Sequence, residues 1–183
     1  MINVDLDEEQ NPELWAFLKA CERGKILSGT VASIRPFGVF VALDDGPQHP
    51  IFDGVGFVTY PELTWRHFDD VNDVVQVGQR VSGEFLQFDT WNGEARLSLK
   101  ALQPDPYATT DLAAGQEILG TVAKVVPFGV FVQLTEDITG FLYTNEIDVT
   151  AGDEITVVVA EVDRLRRRTS LTRGTASSGW PDG

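Results

Sequence analysis

The chain is poor in sulfur and in positive charge. Its 183 residues include one cysteine, one methionine, and 14 lysines and arginines against 28 acidic residues. A single cysteine, Cys21, excludes an intrachain disulfide. No apolar run is long enough to cross a bilayer, and the acidic segment Met1 to Gln10 lacks the basic and apolar regions of a signal peptide. We therefore expect a cytoplasmic protein with no membrane partner.

Motifs for catalysis and metal binding are missing as well. The two histidines, His49 and His67, have no cysteine cluster near them. The sequence holds no zinc-ligand spacing, no phosphate-cradling glycine loop and no nucleophile elbow. The acidic pairs at 44–45 and 69–70 are typical of surface loops. We predict that the protein is not an enzyme and needs no cofactor and no metal.

The net charge of −14 argues against binding to nucleic acid, because phosphate contacts usually need a basic surface. The positive residues are unevenly distributed, however, and they concentrate near the C-terminal end. A local basic patch is therefore possible on an acidic molecule. The arginines concerned are Arg164, Arg166, Arg167, Arg168 and Arg173.

An internal repeat is the strongest pattern in the sequence. Two of its matches share an offset of 91 residues, and all four occur in the same order. Such agreement indicates two copies of one unit. The matches are Gly29-Thr30-Val31 with Gly120-Thr121-Val122, Pro36-Phe37-Gly38-Val39-Phe40-Val41 with Pro127-Phe128-Gly129-Val130-Phe131-Val132, Gly56-Phe57 with Gly140-Phe141, and Arg96-Leu97-Ser98-Leu99 with Arg168-Thr169-Ser170-Leu171.

Each copy is rich in β-branched residues that are separated by turn signals. Asn92-Gly93, for example, is a hairpin signal. Five short strands per copy fit a small closed barrel of the oligonucleotide-binding (OB) kind. The predicted fold class is all-β, with two five-stranded OB barrels in tandem and a short N-terminal helix. The strands predicted in the first copy are 26–34, 39–43, 55–59, 80–88 and 95–99, and the first strand of the second copy is 118–126.

The predicted helix covers Asn11 to Arg23, with Asn11 as its cap and Gly24 as its stop, and its apolar face packs on the first barrel. The second barrel is shortened because the segment 64–75 has no counterpart in it. The predicted domains are an acidic N-terminus and helix (1–23), a first barrel (24–103), a proline-containing linker (104–111), a second barrel (112–173) and a disordered tail (174–183).

These motifs resemble the RNA-binding repeat called the S1 domain, which is named after the largest protein of the small ribosomal subunit and also occurs in polynucleotide phosphorylase. The resemblance covers residues 24–173. It implies a five-stranded OB barrel with single-stranded RNA as its ligand. Besides the repeated segments, it includes Gly56-Phe57-Val58 with Glu62-Leu63, Val77-Gly78-Gln79-Arg80-Val81, Lys100, and Leu142 with Glu146-Ile147.

Strand alternation suggests which side chains touch RNA. If Val39, Val41 and Leu43 fill the first barrel, Phe40 points outward, and Phe131 does the same in the second copy. An outward phenylalanine at the same place twice suits stacking on an unpaired base, worth about 1–3 kcal/mol. The alternative is that these rings pack against the neighbouring barrel or the helix.

The resemblance implies further contact positions. In the family the third strand often carries a histidine, where this chain has Thr59 and Tyr143. An aspartate ends the fourth strand, and arginines precede the fifth. We matched Glu94 and Arg96 with Arg166 and Arg168, so that the first barrel has an acid where the second has an arginine. The candidate RNA-binding residues are Phe37, Phe40, Thr59, Asp89, Arg96, Lys124, Phe128, Phe131, Tyr143, Asp163, Arg166 and Arg168.

We therefore expect a monomer that binds single-stranded RNA, mainly through its second barrel, in translation or RNA metabolism. The binding should be modest, less dependent on salt than usual, and largely indifferent to base sequence. The arginine run has an alternative interpretation, as a solvated hairpin tip that balances Glu161 and Asp163. The alternative function is an adaptor that binds the ribosome or another basic partner in the translation or RNA-decay machinery.

Overall fold

The computed structural model describes residues 6–174. The chain divides into two compact units, Met1–Asp105 and Pro106–Gly183. Each unit contains one closed five-stranded barrel, which confirms the predicted fold class. Within the described range, no helix is long and apolar enough to cross a membrane.

The first unit combines one helix with a barrel whose strands close in the order β1-β2-β3-β5-β4. All neighbouring strands are antiparallel except β3 and β5, which are parallel and complete the barrel. The elements are α1 (Pro12–Ala20), β1 (Ile26–Arg35), β2 (Gly38–Leu43), β3 (Gly56–Val58), β4 (Arg80–Asp89) and β5 (Glu94–Ser98). The predicted strands agree with these bounds to within one residue at most ends.

The interior of this barrel follows from strand alternation. Val39, Val41 and Leu43 are buried in one core, as predicted. The helix α1 adds Leu14 and Leu18 to the same core. The prediction that the helix packs on the first barrel is therefore confirmed.

The ends of α1 differ from the prediction. The Asn11 side chain makes no capping hydrogen bond to the helix and instead donates to the backbone oxygen of Asp7 at 3.2 Å. The helix ends at Ala20, and Gly24, with a φ of 94°, lies in the turn that precedes β1. Asn11 therefore occupies the predicted N-cap position without capping through its side chain, whereas the predicted stop is wrong, because Gly24 serves the turn before β1 and not the end of the helix.

The second unit repeats the topology, with β8 and β10 as the parallel pair. Its core includes Val122, Val130, Val132 and Leu171. Only residues 144–153 connect the third and fourth strands, which confirms the predicted short link. The elements are α2 (Pro106–Thr109), β6 (Glu117–Val126), β7 (Gly129–Gln133), β8 (Thr139–Tyr143), β9 (Glu154–Asp163) and β10 (Arg168–Arg173).

The start of the second unit is held by the β9–β10 hairpin. Tyr107 is buried, and its hydroxyl lies 3.1 Å from Oγ1 of Thr169. The Arg164 guanidinium donates to the backbone oxygen of Tyr107 and to that of Thr110. The predicted bounds of the linker stay a prediction, and residues 175–183 of the predicted tail lie outside the described residues.

Candidate nucleic-acid interface

A row of paired residues crosses the outer face of the second barrel. Lys124 of β6 pairs with Phe131 of β7, and Phe131 pairs with Phe141 of β8. Paired residues on neighbouring strands share a face, so these three side chains are neighbours on the surface. Phe141 was missed as a candidate, although the repeated Gly-Phe dipeptide carried the necessary signal.

Four aromatic side chains form a cluster on this face, and we call it the second-barrel cluster: Phe128, Phe131, Phe141 and Tyr143. Ring centroids lie 4.7 Å apart for Phe131 and Phe141, and 4.6 Å apart for Phe141 and Tyr143. Phe128 lies 5.7 Å from Phe141. Phe128 is 55% exposed and Tyr143 76% exposed, whereas the two central rings are half-buried. The cluster therefore presents open aromatic surface to solvent.

The glycine of the Pro-Phe-Gly motif makes room for this cluster. A Cβ atom at Gly129 would lie 2.3 Å from Cζ of Phe141 and 2.5 Å from the backbone oxygen of Leu142. The first barrel has the same arrangement, with Gly38 beneath the ring of Phe57. The repeated glycine thus allows a phenylalanine from the next strand to lie across the backbone.

The hairpins that precede the fifth strands have the same turn in both barrels. Oδ1 of Asp89 accepts the backbone N–H of Asn92 at 2.9 Å, and Oδ1 of Asp163 accepts that of Arg166 at 3.0 Å. Asn92 and Arg166 are therefore equivalent. Gly93 and Arg167, which follow them, both have positive φ values of 62° and 57°.

This common turn corrects the match between the two copies. Glu94 pairs with Asp89 as Arg168 pairs with Asp163, so Glu94 corresponds to Arg168. Arg96 pairs with Phe57, and its counterpart Ser170 pairs with Phe141. The match made from the sequence was wrong by two residues, because turn length fixes the hairpin register. The first barrel still has an acid where the second has an arginine.

The arginines between positions 164 and 168 fall into two groups, those that contact the start of the second unit and those that are exposed. Arg164 holds the start of the unit, and the Arg167 guanidinium lies 4.9 Å from the ring centroid of Tyr107. Arg166 and Arg168 are exposed, as is Lys124, and their side chains form no hydrogen bond or ion pair with residues 6–174. Lys124 and Arg168 are thus available on the face of the second-barrel cluster, and Arg166 is available in the adjoining hairpin.

The cation positions follow from the pairing. Lys124 is next to Phe131 in the row, and Arg168 lies two residues along β10 from the level of Phe141. Tyr143 lies two residues from Phe141 in the opposite direction along β8. At roughly 3.3 Å per residue, each step is about 7 Å. Lys124 therefore lies at the level of the cluster, whereas Arg168 and Tyr143 lie on the same face on opposite sides of that level.

The first barrel contradicts the prediction of an accessible Phe40. This ring is only 2% exposed. Phe52 stacks on it with 4.8 Å between ring centroids and 18° between ring planes, and Phe57 lies 5.1 Å from it. Phe37, in contrast, is exposed. The prediction failed because Phe52 comes from the loop after β2, which strand alternation does not describe.

In the first barrel, the candidate Arg96 lies close to two carboxylates, those of Asp89 and Glu94. Arg96 donates to Oδ2 of Asp89 at 2.9 Å and lies 3.7 Å from Oε1 of Glu94. Thr59 is half-buried and lines a groove beside Arg96. Two carboxylates thus neutralise the single arginine here.

The two carboxylates differ in their surroundings. Glu94 is 3% exposed, and burial raises its pKa despite the nearby Arg96. The backbone N–H of Asn92 is the main cause that lowers the pKa of Asp89, with Arg96 adding to it. Asp89 therefore serves the turn as well as the arginine. Across residues 6–174, no group of three or more histidine, cysteine or acidic side chains could hold a metal ion.

Comparisons with known proteins agree with this architecture. The family model for the S1 RNA binding domain matches residues 21–100 and 111–174. The small ribosomal subunit protein bS1 of Mycolicibacterium smegmatis is 37% identical over 191 residues, covering 97% of this chain and 38% of that protein. The bS1 protein of Mycobacterium leprae is 38% identical and covers 96% of this chain and 37% of its own length. The chain thus spans under two fifths of these relatives.

Among solved structures, GSP13 from Bacillus subtilis is 30% identical over 50% of this chain and 65% of its own, with a TM-score of 0.39. The α subunit of aIF2 from Pyrococcus abyssi is 27% identical over 48% of this chain and 32% of its own, with a TM-score of 0.38.

Proposed function

The chain belongs to the S1 RNA binding domain family, and we propose that it binds single-stranded RNA chiefly through the second-barrel cluster. The observation that carries the proposal is the open aromatic surface at Phe128 and Tyr143, next to the half-buried rings of Phe131 and Phe141. Rings of this kind stack on unpaired bases, at about 1–3 kcal/mol per base. No property of one particular base is required, so little sequence preference is expected.

Three cations supply the phosphate part of the interaction. Lys124 pairs with Phe131 across the strands, so its amine can reach the backbone of a nucleotide that stacks on the cluster. Arg166 and Arg168 extend from the neighbouring hairpin, and an arginine can hold a phosphate through two hydrogen bonds. Asp163 fixes the turn that carries Arg166, so its role is to position this arginine.

We propose that the first barrel contributes less. Its central ring Phe40 is covered, and its one arginine near the face, Arg96, is paired with acidic side chains. Phe37 is still exposed, and the β4–β5 hairpin carries the exposed Trp91, but Thr59 stands where the second barrel has a tyrosine. With its central ring covered and its arginine neutralised, this face offers RNA less than the second-barrel cluster does.

The physiological setting is also a proposal. The bS1 relatives are proteins of the small ribosomal subunit, and this chain spans only part of their length. We propose that it acts in the cytoplasm, in translation or RNA metabolism, by equilibrium binding and without catalysis. Association with the ribosome would follow from the same interaction with single-stranded RNA.

The test is fluorescence anisotropy with a labelled oligo-U, at low and moderate salt. Phe128→Ala, Phe131→Ala and Arg166→Ala should each weaken binding by roughly five- to a hundredfold, since each removes a contact of about 1–3 kcal/mol. Leu119→Ala is the matched control, because Leu119 is exposed on β6, five residues along the strand from Lys124, and is not one of the cluster rings. Unchanged affinity in all three variants would refute the proposed interface.

A second function is favoured by the charge of −14. An acidic protein suits a basic partner, such as a ribosomal protein, and an OB barrel can bind proteins as well as nucleic acids. The same titration separates the two functions. Absence of oligo-U binding at both salt concentrations would support the adaptor role.

A further inference from the structure

The two barrels also differ in the loop between their second and third strands. In the first barrel this loop has twelve residues, 44–55, and in the second it has five, 134–138. Seven residues are therefore present in one copy and absent from the other. The longer loop contains His49 and Phe52, which have no counterpart in the second barrel.

His49 fastens this loop to the barrel. It is 8% exposed, and its Nδ1 accepts the backbone N–H groups of Ile51 at 3.1 Å and Phe52 at 3.0 Å. Nδ1 therefore carries no proton, so Nε2 carries it and donates to the backbone oxygen of Asn92 at 2.8 Å. One imidazole thus joins the loop to the β4–β5 turn.

The loop ends with Phe52 lying over Phe40. Their centroid distance of 4.8 Å and interplanar angle of 18° are those of a stacked pair. The centroid of the His49 ring lies 4.8 Å from that of the same Phe52 ring, so the two rings pack together. The equivalent ring of the second barrel, Phe131, has Phe141 as its ring neighbour among the described residues and remains partly exposed.

We propose that Phe52 occupies the place of a nucleobase on Phe40 and thereby determines which barrel accepts RNA. This inference depends on the proposed function, because it assumes that bases stack on this face. Phe52 is then a specificity-determining residue: an intramolecular ring fills the central stacking position of the first barrel. A base can stack there only after Phe52 and the loop fixed by His49 have moved away.

Removing the ring should convert the first barrel into a binding site. Phe52→Ala leaves Phe40 uncovered beside the exposed Phe37, whose ring centroid lies 6.0 Å away. The first barrel would then present two accessible rings, as the second does at its edge. We expect affinity for oligo-U at this barrel to rise about tenfold or more, the size of one added stacking contact.

The experiment uses the full chain with the second-barrel cluster disabled by Phe128→Ala and Tyr143→Ala, both at exposed positions. Anisotropy with labelled oligo-U is measured in this background, with and without Phe52→Ala. The expected result is weak binding that Phe52→Ala restores. Ile51→Ala is the control, because Ile51 lies in the same loop and is exposed, whereas the ring that stacks on Phe40 belongs to Phe52. Restoration should be absent there.

A second variant tests whether an effect of Phe52→Ala comes from local structural damage or from the absence of the ring. Replacing residues 44–54 with the residues 135–138 of the second barrel removes Phe52 together with the extra loop length. Ultraviolet crosslinking with peptide mapping then reports whether RNA reaches the segment around Phe37 and Phe40. Crosslinks confined to the second barrel in both variants, with no gain in affinity, would overturn the inference.

Binding by the wild type and by the disabled background tests the proposed function independently of Phe52. Wild-type protein that binds oligo-U, and loses binding in the disabled background, supports the second-barrel site whatever Phe52 does. Wild-type protein that fails to bind refutes that site. The inference about Phe52 then stands only if Phe52→Ala alone creates binding, and is refuted if it does not.

Discussion

Substituting Gly129 by alanine should test both the packing and the function of the second barrel. The added Cβ atom would lie 2.3 Å from Cζ of Phe141, where carbon atoms normally approach to about 3.5–4.0 Å. The ring cannot simply swing away to relieve the clash, because the Leu142 backbone oxygen would be only 2.5 Å from the same Cβ. Both the aromatic cluster and the β7–β8 pairing must therefore shift.

The expected cost is that of an overpacked site, about 1–3 kcal/mol of unfolding free energy. For a domain of this size, each kcal/mol lowers the melting temperature by about 4–8 °C, so a loss of about 1–3 kcal/mol should make the second unit melt roughly 4–24 °C lower. Because Phe141 contacts both Phe131 and Tyr143, its displacement should also weaken oligo-U binding by about tenfold.

The matched control is Gly38→Ala in the first barrel. Its added Cβ would lie 2.3 Å from Cζ of Phe57 and 2.8 Å from the Val58 backbone oxygen, so a similar loss of stability is expected in that unit. RNA affinity should remain as in the wild type. Amide hydrogen exchange, resolved by peptide, measures the stability of each unit, and anisotropy at a temperature where both variants are folded measures RNA affinity.

Two results would refute this reasoning. If Gly129→Ala lowers the opening free energy of the β7 and β8 amides by less than about 0.5 kcal/mol, the predicted clash at this glycine does not exist. If Gly38→Ala weakens oligo-U binding as much as Gly129→Ala does, the first barrel shares the binding, and the second barrel is not the main site.

Two further predictions concern charge. Burial lowers the pKa of His49 below its ordinary 6.5, although the hydrogen bonds between the ring and the backbone of Asn92 and Gly93 act in the opposite direction. Well above pH 6.5 the ring is neutral in both states, and as the pH falls through 6.5 the unfolded chain binds the proton more readily than the folded one, so the first unit should lose stability. Urea unfolding, followed by tryptophan fluorescence at pH 7 and pH 5.5, should show this loss of unfolding free energy in the wild type and not in His49→Asn. Glu94, whose pKa is raised, titrates in both proteins, so the same change in unfolding free energy between the two pH values in both proteins would contradict the prediction. If Lys124, Arg166 and Arg168 each contact a phosphate, log K against log salt should have a slope of roughly −2, at about −0.7 per contact. Arg166→Ala should reduce the slope to about −1.4 in anisotropy titrations, and an unchanged slope would remove this arginine from the interface.

The architecture could be predicted because its signals are local. Alternating Val39, Val41 and Leu43, glycine at turns, and the repeated Pro-Phe-Gly motif specify strands and their inward faces without knowledge of distant contacts. The same patterns placed the aromatic residues of the second barrel on an outer face. Phe141 could have been included from the repeated Gly-Phe pair, because a strand residue two positions before Tyr143 shares its face.

What the sequence could not reveal depends on contacts between distant segments. The cover over Phe40 comes from Phe52, in a loop that the hydrogen bond of His49 fastens to a hairpin 43 residues away along the chain. In the same way, Arg164 donates hydrogen bonds to the backbone oxygens of Tyr107 and Thr110, so it is not available to a basic patch. A run of arginines predicts positive charge, and it does not predict which members already have partners.

The correspondence of the fifth strands failed for a different reason. The segments that begin at Arg96 and Arg168 share arginine, serine and leucine, and this likeness favoured the wrong register. Turn length is the stronger constraint, because the pairing that begins at the hairpin sets every later residue of the strand. Counting from Asp89 and Asp163 would have given the observed match.

Closure of each sheet by a parallel pair, β3 with β5 and β8 with β10, has a consequence for assembly. An open sheet ends in unpaired amide and carbonyl groups that can recruit a strand from another molecule. Two similar units on one chain would meet that hazard at high local concentration, since their sequences are closely alike. A closed sheet offers no such template, and units of this kind can therefore be joined in series without polymerising through their backbones.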